Sequence, residues 1–296
     1  MHRSGTSALT GVLSLSGIDL GKDLMEGSKD NKKGYFENNK IVSFNVKLLN
    51  ILNTVWNDIK VLDESLLKNI INDKELIKEA KDIIISEFSD SSKIGIKDPR
   101  MCFLYIFWEK VLLELNFQIN TIIMYRDPLE VAYSLNKRDS LDLNYSVLLW
   151  FKHFMYAERM SRYNCNRVML SYDDVISNPI DEIEFIINSF NLERKYDESV
   201  LSSFIDKKLR NSTKNIIEDK ELPEYIKNFI LLCLEIKKNQ DFSNKIDLFD
   251  KIFHEYYLNN SFYLNSSLEK VYFEKALKDY KKNRLYRKLR KVFFGK

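Results

Sequence analysis

The chain has 296 residues, of which 45% are hydrophobic, 13% aromatic and 30% charged. This composition excludes a disordered or collagen-like chain, and the length suffices for a full hydrophobic core. No apolar run approaches the ~18 residues of a membrane-spanning helix. The three unevenly spaced cysteines and three scattered histidines argue against a disulfide framework and a Cys- or His-based metal site.

The charge is concentrated near one end of the chain. The net charge is +3, and residues 281–296 hold eight basic residues and no acidic one. Removing those eight charges leaves −5 on the rest of the chain. A mildly acidic body with a basic tail is not the pattern of a nucleic-acid-binding protein, so we expect no nucleic-acid partner.

Apolar periodicity, turn residues and capping residues predict the elements in chain order. They are a helix over 6–15 closed by Gly17, helices over 38–52 and 74–88, a strand over 93–96, a helix over 101–115, a strand over 118–125, helices over 128–138 and 143–162, a strand over 167–171 and a helix over 179–190. After about residue 215 only helical patterns remain. The alternation predicts an α/β domain over residues 1–215 with a doubly wound parallel sheet, and an α-helical extension over 216–296.

The first loop carries the strongest signal. Arg3-Ser4-Gly5-Thr6-Ser7 runs directly into the first predicted helix. The N–H groups at a helix N-terminus favour an anion, and glycine permits close approach of the backbone. The ATP- and GTP-binding pattern G-x-x-x-x-G-K-[ST] is absent. The segment predicts either an anion-binding loop or an ordinary N-capped helix.

A second signal lies further along the chain. Arg126 ends a predicted strand, and Ser134 lies in the helix that follows. An arginine at the carboxyl end of a parallel strand points into the crevice where α/β proteins bind ligands. The alternative is a structural Arg-Asp-Pro turn in which Asp127 caps the helix.

Five blocks of the sequence carry a resemblance to a known family. They are His2-Arg3-Ser4-Gly5-Thr6-Ser7, Gly34-Tyr35-Phe36-Glu37-Asn38, Lys97-Asp98-Pro99-Arg100, Arg126-Asp127-Pro128-Leu129-Glu130-Val131-Ala132-Tyr133-Ser134 and Tyr172-Asp173-Asp174. In their order and spacing they resemble the sulfotransferase family, and more narrowly the bacterial sulfotransferase-like proteins of surface-polysaccharide contexts, over about residues 1–215.

The resemblance implies a fold of the P-loop nucleotide-kinase-like type and a sulfuryl donor, 3′-phosphoadenosine 5′-phosphosulfate (PAPS), used without a metal. It implies that the 5′-phosphosulfate is held by Arg3, Ser4, Gly5, Thr6 and Ser7, and the 3′-phosphate by Arg126 and Ser134. Sulfuryl transfer resembles phosphoryl transfer, in which positioning and charge stabilisation do most of the work. The family context also implies a carbohydrate or glycolipid acceptor.

The acceptor hydroxyl needs a base. Glu37 is the first candidate, against the alternative that it caps or pairs near the next helix, with Asp98 as a rival and His2 as a third choice. Lys97 and Arg100 are candidates for stabilising the transferring group, against the alternative of a buried ion pair at a strand end.

Arg210 is a candidate for closing over the nucleotide, the alternative being a solvated arginine. The family's loop follows a central hydrophobic strand, whereas this sequence starts at Met1 inside the motif. We therefore expect that the first strand is missing because the true start lies upstream or the chain is a fragment. The alternatives for function are a nucleotide-dependent kinase of related fold, or a truncated, inactive scaffold or membrane-associated relative.

The tail forms a separate prediction. Leu285, Leu289, Val292 and Phe293 fall on one face of a helix that is otherwise basic. Such a segment favours peripheral contact with an anionic membrane, against the alternative of a terminal helix packed by its apolar stripe. Together with the polar opening of the chain, which does not resemble a signal peptide, this predicts a cytoplasmic protein at the inner face of the membrane.

Overall fold

The computed structural model describes residues 1–27, 34–89, 91–205 and 222–260. These residues form a mixed α/β structure that is mostly helical. The helices are α1 (Thr6–Leu15), α2 (Asn39–Ile51), α3 (Glu64–Asn72), α4 (Lys74–Phe88), α5 (Met101–Glu114), α6 (Pro128–Asp139), α7 (Leu143–Ser161), α8 (Tyr172–Ser177), α9 (Pro179–Phe190), α10 (Glu198–Phe204), α11 (Glu224–Asn239) and α12 (Ile246–Asn260).

Two parallel strands, β1 (Thr121–Tyr125) and β2 (Arg167–Ser171), pair in register from the first residue of each to the last. The predicted strand over 93–96 is reduced to one parallel bridge, between Ile94 and Asp19. Within the described ranges the sheet therefore has two strands, fewer than the predicted doubly wound sheet. A strand needs a hydrogen-bonding neighbour along its length, and among the described residues the 93–96 segment meets one only around Asp19.

Helices cover both faces of this sheet. Ile123, Tyr125 and Met169 belong to a large apolar cluster built from α2–α7, α11 and α12. Met124 and Leu170, one residue along each strand, belong to a second cluster with α1, α8, α9 and α10. Because successive side chains of a strand point to opposite faces, each strand contributes to both cores and so fixes the two helical layers around the sheet.

The outer edge of β2 is closed by a side chain. Gln240, just after α11, accepts the Met169 N–H at 2.9 Å and donates to the Met169 carbonyl at 2.9 Å. The amide thus replaces a neighbouring strand at that position, which protects an edge that would otherwise stay unpaired. Phe229 and Tyr256, from α11 and α12, are fully buried in the larger cluster, so the described helices after residue 222 share the core of the sheet region.

The helices predicted over 6–15, 74–88 and 179–190 and the strand over 167–171 are confirmed at both ends. Asp127 caps α6 by accepting the N–H groups of Leu129 and Glu130, as predicted. Helices α3, α8 and α10 were not predicted from the sequence. Among the described helices, none combines the length and the apolarity that crossing a membrane requires.

Candidate functional site

The loop before α1 lies at the carboxyl ends of β1 and β2. Arg3 and Gly5 both have positive φ, of 63° and 85°, and a left-handed non-glycine residue such as Arg3 is uncommon. A side chain at position 5 would overlap the ring of Tyr172, the residue that follows β2. Gly5 is therefore required both by its backbone angles and by its neighbour. The loop backbone is pressed against the end of the sheet, where α/β proteins bind ligands.

Helix α1 begins without a side-chain cap. Gly5 occupies the N-cap position, and no side chain there accepts a hydrogen bond from the first turn. Thr6 and Ser7 form that first turn, so the positive end of the helix dipole and its N–H groups adjoin the loop. Such an end favours an anion. Of the two interpretations from the sequence, the absence of a side-chain cap favours the anion-binding loop.

A first polar cluster joins the loop to the end of β1 and to α6. The Arg126 guanidinium donates to the Arg3 carbonyl at 2.8 Å, and Arg3 Nε donates to Ser134 Oγ at 2.7 Å. Arg126 also donates to Glu130 at 3.0 Å and lies 4.1 Å from the ring centre of Tyr172. Residues 3, 126 and 134 thus meet in one place, although more than 120 residues separate the loop from the other two.

A second polar cluster lies at the first turn of α1. Lys97 Nζ donates to Ser7 Oγ at 3.1 Å, to the Tyr35 carbonyl at 3.1 Å and to the Glu37 carboxylate at 2.5 Å. The side chains of Lys97 and Glu37 are only 10% and 6% exposed. Burial lowers the pKa of the Lys97 amine, and the adjacent Glu37 carboxylate partly offsets this by favouring the charged form. The cluster places a cation and a carboxylate beside a hydroxyl of the loop.

Backbone strain marks the approach to this cluster. Phe36, between Tyr35 and Glu37, has φ of 56°, which is an outlier for a bulky residue. Its ring packs on Phe204 of α10 with centroids 6.0 Å apart. The ring contact holds this strained residue, which directly precedes Glu37, and backbone strain of this kind is found at functional sites.

Asp98 and Arg100 hold each other and the start of α5. Asp98 accepts from the Arg100 N–H at 2.8 Å and from its guanidinium at 2.9 Å, while its second oxygen accepts from Asn45 at 2.9 Å. Asn45 in turn accepts from Trp108 Nε1. Because both carboxylate oxygens have protein partners, the geometry favours Glu37 over Asp98 as the residue that faces a substrate.

His2, one residue before Arg3, lies close to His153. Burial lowers the pKa of both imidazoles well below their usual range, so both are neutral at pH 7. The His153 Nδ1 contacts the Leu149 carbonyl at 2.8 Å, and the Nε2 of each ring is buried without a hydrogen-bond partner. The His2 ring meets Trp56 edge to face at 4.4 Å. His2 therefore fixes the loop against this aromatic residue.

Other features named from the sequence or found in the described residues lie outside this site. A cavity of about 270 Å³ beside Gly17 and Asp19 lies at the other end of α1. No group of three or more His, Cys, Asp or Glu residues arranged to hold a metal ion occurs in the described part of the chain. Arg210 and the 281–296 tail lie outside the described residues.

Tyr172 and Trp56 contact site residues, and neither was given a role from the sequence. Tyr172 follows a predicted strand in one of the blocks that carry the resemblance, so its position at a carboxyl end was a usable signal. Trp56 gave no such signal, because its contacts with His2 and Arg138 depend on the tertiary fold.

Comparisons with protein-family models, with curated proteins and with solved structures found no match to this chain.

Proposed function

We propose that this protein is a sulfotransferase that moves a sulfuryl group from PAPS to a hydroxyl on a glycan or glycolipid. The observation that carries the proposal is the pair of polar clusters on one loop. Arg3, Arg126 and Ser134 meet at one place, and Ser7, Lys97 and Glu37 meet at the first turn of α1.

The two clusters suit a nucleotide that is anionic at two points. In this proposal the 5′-phosphosulfate binds at the first turn of α1, where N–H groups, Ser7 and Lys97 converge. The 3′-phosphate binds at Ser134 and Arg126, displacing the contact between Arg3 and Ser134. Charge-assisted hydrogen bonds from arginine and lysine to such groups are among the strongest that a protein offers.

The start of α1 also suits the donor. Gly5 lets the loop backbone pack directly against the Tyr172 ring, and because no side chain at the N-cap position bonds to the first turn of α1, its N–H groups stay available to a phosphate. The residues of a metal-assisted kinase loop, Gly-Lys-Ser/Thr, are absent from the sequence here. Lys97, from a different segment, supplies the cation instead.

The chemistry assigned to the second cluster is in-line transfer. The acceptor oxygen forms a bond to sulfur while the bond from sulfur to the 5′-phosphate oxygen breaks, and the phosphate leaves with the electron pair. The Glu37 carboxylate takes the proton of the acceptor hydroxyl. Lys97, between Glu37 and Ser7, stabilises the charge that develops on the leaving oxygen.

The proposal includes a doubly wound sheet of the nucleotide-kinase type. Two parallel pairs support it, the Asp19–Ile94 bridge and the β1–β2 ladder. Lys97 and Arg126 each follow an extended segment of one of these pairs, and both contact the loop before α1 or its first turn. Side chains at the carboxyl ends of parallel segments converge in this way in doubly wound proteins.

The proposal is tested by calorimetric titration with the product nucleotide, adenosine 3′,5′-bisphosphate (PAP). We expect PAP to bind without a divalent ion, and Arg3→Ala and Ser134→Ala to weaken binding by about tenfold or more, since a charge-assisted contact is worth about 1.5–3 kcal/mol. Arg194→Ala, at an exposed arginine paired with Glu184 and Glu198, is the matched control.

Glu37→Gln separates binding from chemistry. This variant should bind PAP as the wild type does and lose sulfuryl transfer from PAPS, because the amide cannot accept the proton. Equal affinity for PAP and for adenosine 5′-phosphate, which lacks the 3′-phosphate, would contradict the proposed role of Arg126 and Ser134. Binding of ATP with a requirement for magnesium would favour a kinase.

A further inference from the structure

An irregular segment between α2 and α3 is held by donors from two other helices. The carbonyls of Asn57, Asp58 and Ile59 accept hydrogen bonds from three side chains, each at 2.7 Å. The donors are Tyr145 and Lys152 of α7 and Tyr256 of α12. Three consecutive carbonyls fixed by side chains make this segment rigid without regular secondary structure.

One of these donors, the Lys152 amine, is buried at a cost in free energy. Lys152 is fully buried, and its amine also lies 4.8 Å from the ring centre of Phe103. Burial lowers its pKa to about 8, since removing an ammonium group from water disfavours the charged form. A neutral donor would satisfy the same carbonyl at lower cost. The reaction assigned above does not use this lysine, so its role is to hold the segment.

Trp56 directly precedes the three residues whose carbonyls are held. It is partly exposed, whereas the other two tryptophans, Trp108 and Trp150, are 1% and 0% exposed. The His2 ring lies 4.4 Å from the Trp56 ring, and the Arg138 guanidinium lies 5.8 Å from its centre. The indole therefore has two fixed neighbours, while part of its surface stays open to solvent.

These contacts tie Trp56 to the donor-binding cluster. His2 precedes Arg3, whose Nε donates to Ser134. Arg138 lies one helical turn after Ser134 on α6, and residues four apart share a helix face. The Trp56 ring thus lies next to the loop and next to the α6 face that carries Ser134. The Met1 ammonium, one residue before His2, interacts electrostatically with Lys97 and Glu37, so the His2 side of the indole also adjoins the proposed transfer cluster.

We infer that Trp56 is the platform on which a pyranose ring of the acceptor stacks, and that Tyr145, Lys152 and Tyr256 are positioning residues that hold this platform. The inference rests on the proposed function. The indole face is electron-rich, and the C–H groups on one face of a sugar ring carry partial positive charge, so the two attract while the ring hydroxyls stay free for transfer. An aromatic side chain with one polar edge suits a ligand that is apolar on one face and wet elsewhere.

The test uses the fluorescence of the full-length protein. Acrylamide quenches only exposed indoles, so the quenchable signal reports Trp56 above the two buried tryptophans. The probes are methyl glucoside, galactoside, mannoside and N-acetylglucosaminide, with cyclohexanol as an alcohol of similar size that is not a sugar. We expect at least one pyranoside to protect Trp56 from quenching and cyclohexanol to leave quenching unchanged.

Variants check the assignment by calorimetry with the protecting pyranoside. Trp56→Leu should weaken its binding by about tenfold, the worth of one aromatic contact, and Trp56→Tyr should retain most of it. Tyr145→Phe removes the donor to Asn57 but keeps the ring. This variant should increase the quenching of Trp56 and weaken pyranoside binding while PAP binding stays unchanged.

Three results would overturn the inference. They are the absence of protection by any of the four pyranosides, equal protection by cyclohexanol, and protection by PAP alone, which would make Trp56 a nucleotide contact. PAP titration keeps the two proposals distinguishable. Normal PAP binding without a pyranoside effect overturns the platform only, whereas loss of specific PAP binding overturns the proposed sulfotransferase.

Discussion

Replacing Lys152 with methionine should stabilise the protein at neutral pH, even though it removes a hydrogen bond. The amine is fully buried and donates to the Asp58 carbonyl at 2.7 Å. Its pKa of about 8 lies well below the ordinary 10.5, because burial outweighs the favourable charge of Asp58. Below pH 8 the native state must therefore keep a desolvated cation that the unfolded chain exposes to water.

The sign and size follow from proton linkage. Between pH 8 and 10.5 the unfolded chain binds the Lys152 proton more tightly than the native state, so this group makes stability rise with pH through that window. A shift from 10.5 to about 8 corresponds to about 3 kcal/mol at neutral pH. Leaving the Asp58 carbonyl without its donor costs about 1 kcal/mol. Lys152→Met should gain about 2 kcal/mol at pH 7.

The assay is urea unfolding of the wild type and of Lys152→Met at a series of pH values from 7 to about 10.5. The stability difference between the two proteins should be largest at pH 7 and should shrink as the pH rises through 8. Lys47→Met, at an exposed lysine on α2, is the control, and its difference from the wild type should not depend on pH in this way. A difference for Lys152→Met that is constant with pH, or a variant less stable than the wild type at pH 7, would refute the reasoning.

Three further substitutions have defined outcomes. The pKa of Glu87 is lowered to about 2, because four groups donate hydrogen bonds to its carboxylate and outweigh the effect of burial. Its contribution to the free energy of unfolding, up to about 3 kcal/mol, is lost as the pH falls from about 4.5 to 2. Glu87→Gln should therefore make stability, measured by urea unfolding, depend less on pH in that range. Gly5→Ala should lower stability by about 1–3 kcal/mol and abolish PAP binding measured by calorimetry, and Tyr172→Leu should partly restore stability. Gln240→Leu should cost about 2–3 kcal/mol in urea unfolding, because both Met169 backbone groups lose a partner.

Much of the helical framework could be predicted because its signals are local. Asp127 caps α6 and Pro128 occupies its first turn, so the start of that helix is encoded within a few residues. The missed helix α3 carried similar information, since Asp63 caps it and its apolar residues recur at helical spacing. The cap and the apolar spacing together were sufficient to predict this helix.

The strand over 93–96 could not be predicted in the same way. Its sequence is apolar enough for a strand, but strand structure depends on a partner from elsewhere in the chain. Within the described part of the chain only Ile94 of this segment forms a bridge, with Asp19, a residue more than 70 positions earlier. Local composition carries no information about how many residues of such a pair will align, so the extent of a short strand is the least predictable part of the sheet.

For the candidate site too, the positions of single residues could be predicted from the sequence, whereas their contacts could not. Arg126 and Lys97 could be placed at the carboxyl ends of predicted strands from local patterns, but nothing local indicates that Arg3 donates to Ser134 or that Lys97 contacts Ser7. Neither pairing was predicted, because the resemblance to a family assigned Arg3 to the 5′-phosphosulfate and Ser134 to the 3′-phosphate. The structure brings the same side chains together through its own packing, with Arg126 fixed between Glu130 and the Arg3 carbonyl.

Nothing in the sequence indicated that Lys152 is buried. It lies in the apolar stretch of α7, where a lysine ordinarily marks an exposed face of a helix. Here it is buried because its partner is a main-chain carbonyl, Asp58, which any residue type could supply. A side chain that bonds to backbone leaves no trace in the identity of its partner. Positioning residues of this kind become visible only in the fold, whereas a residue that contacts substrate is constrained to one chemistry and can be sought in the sequence.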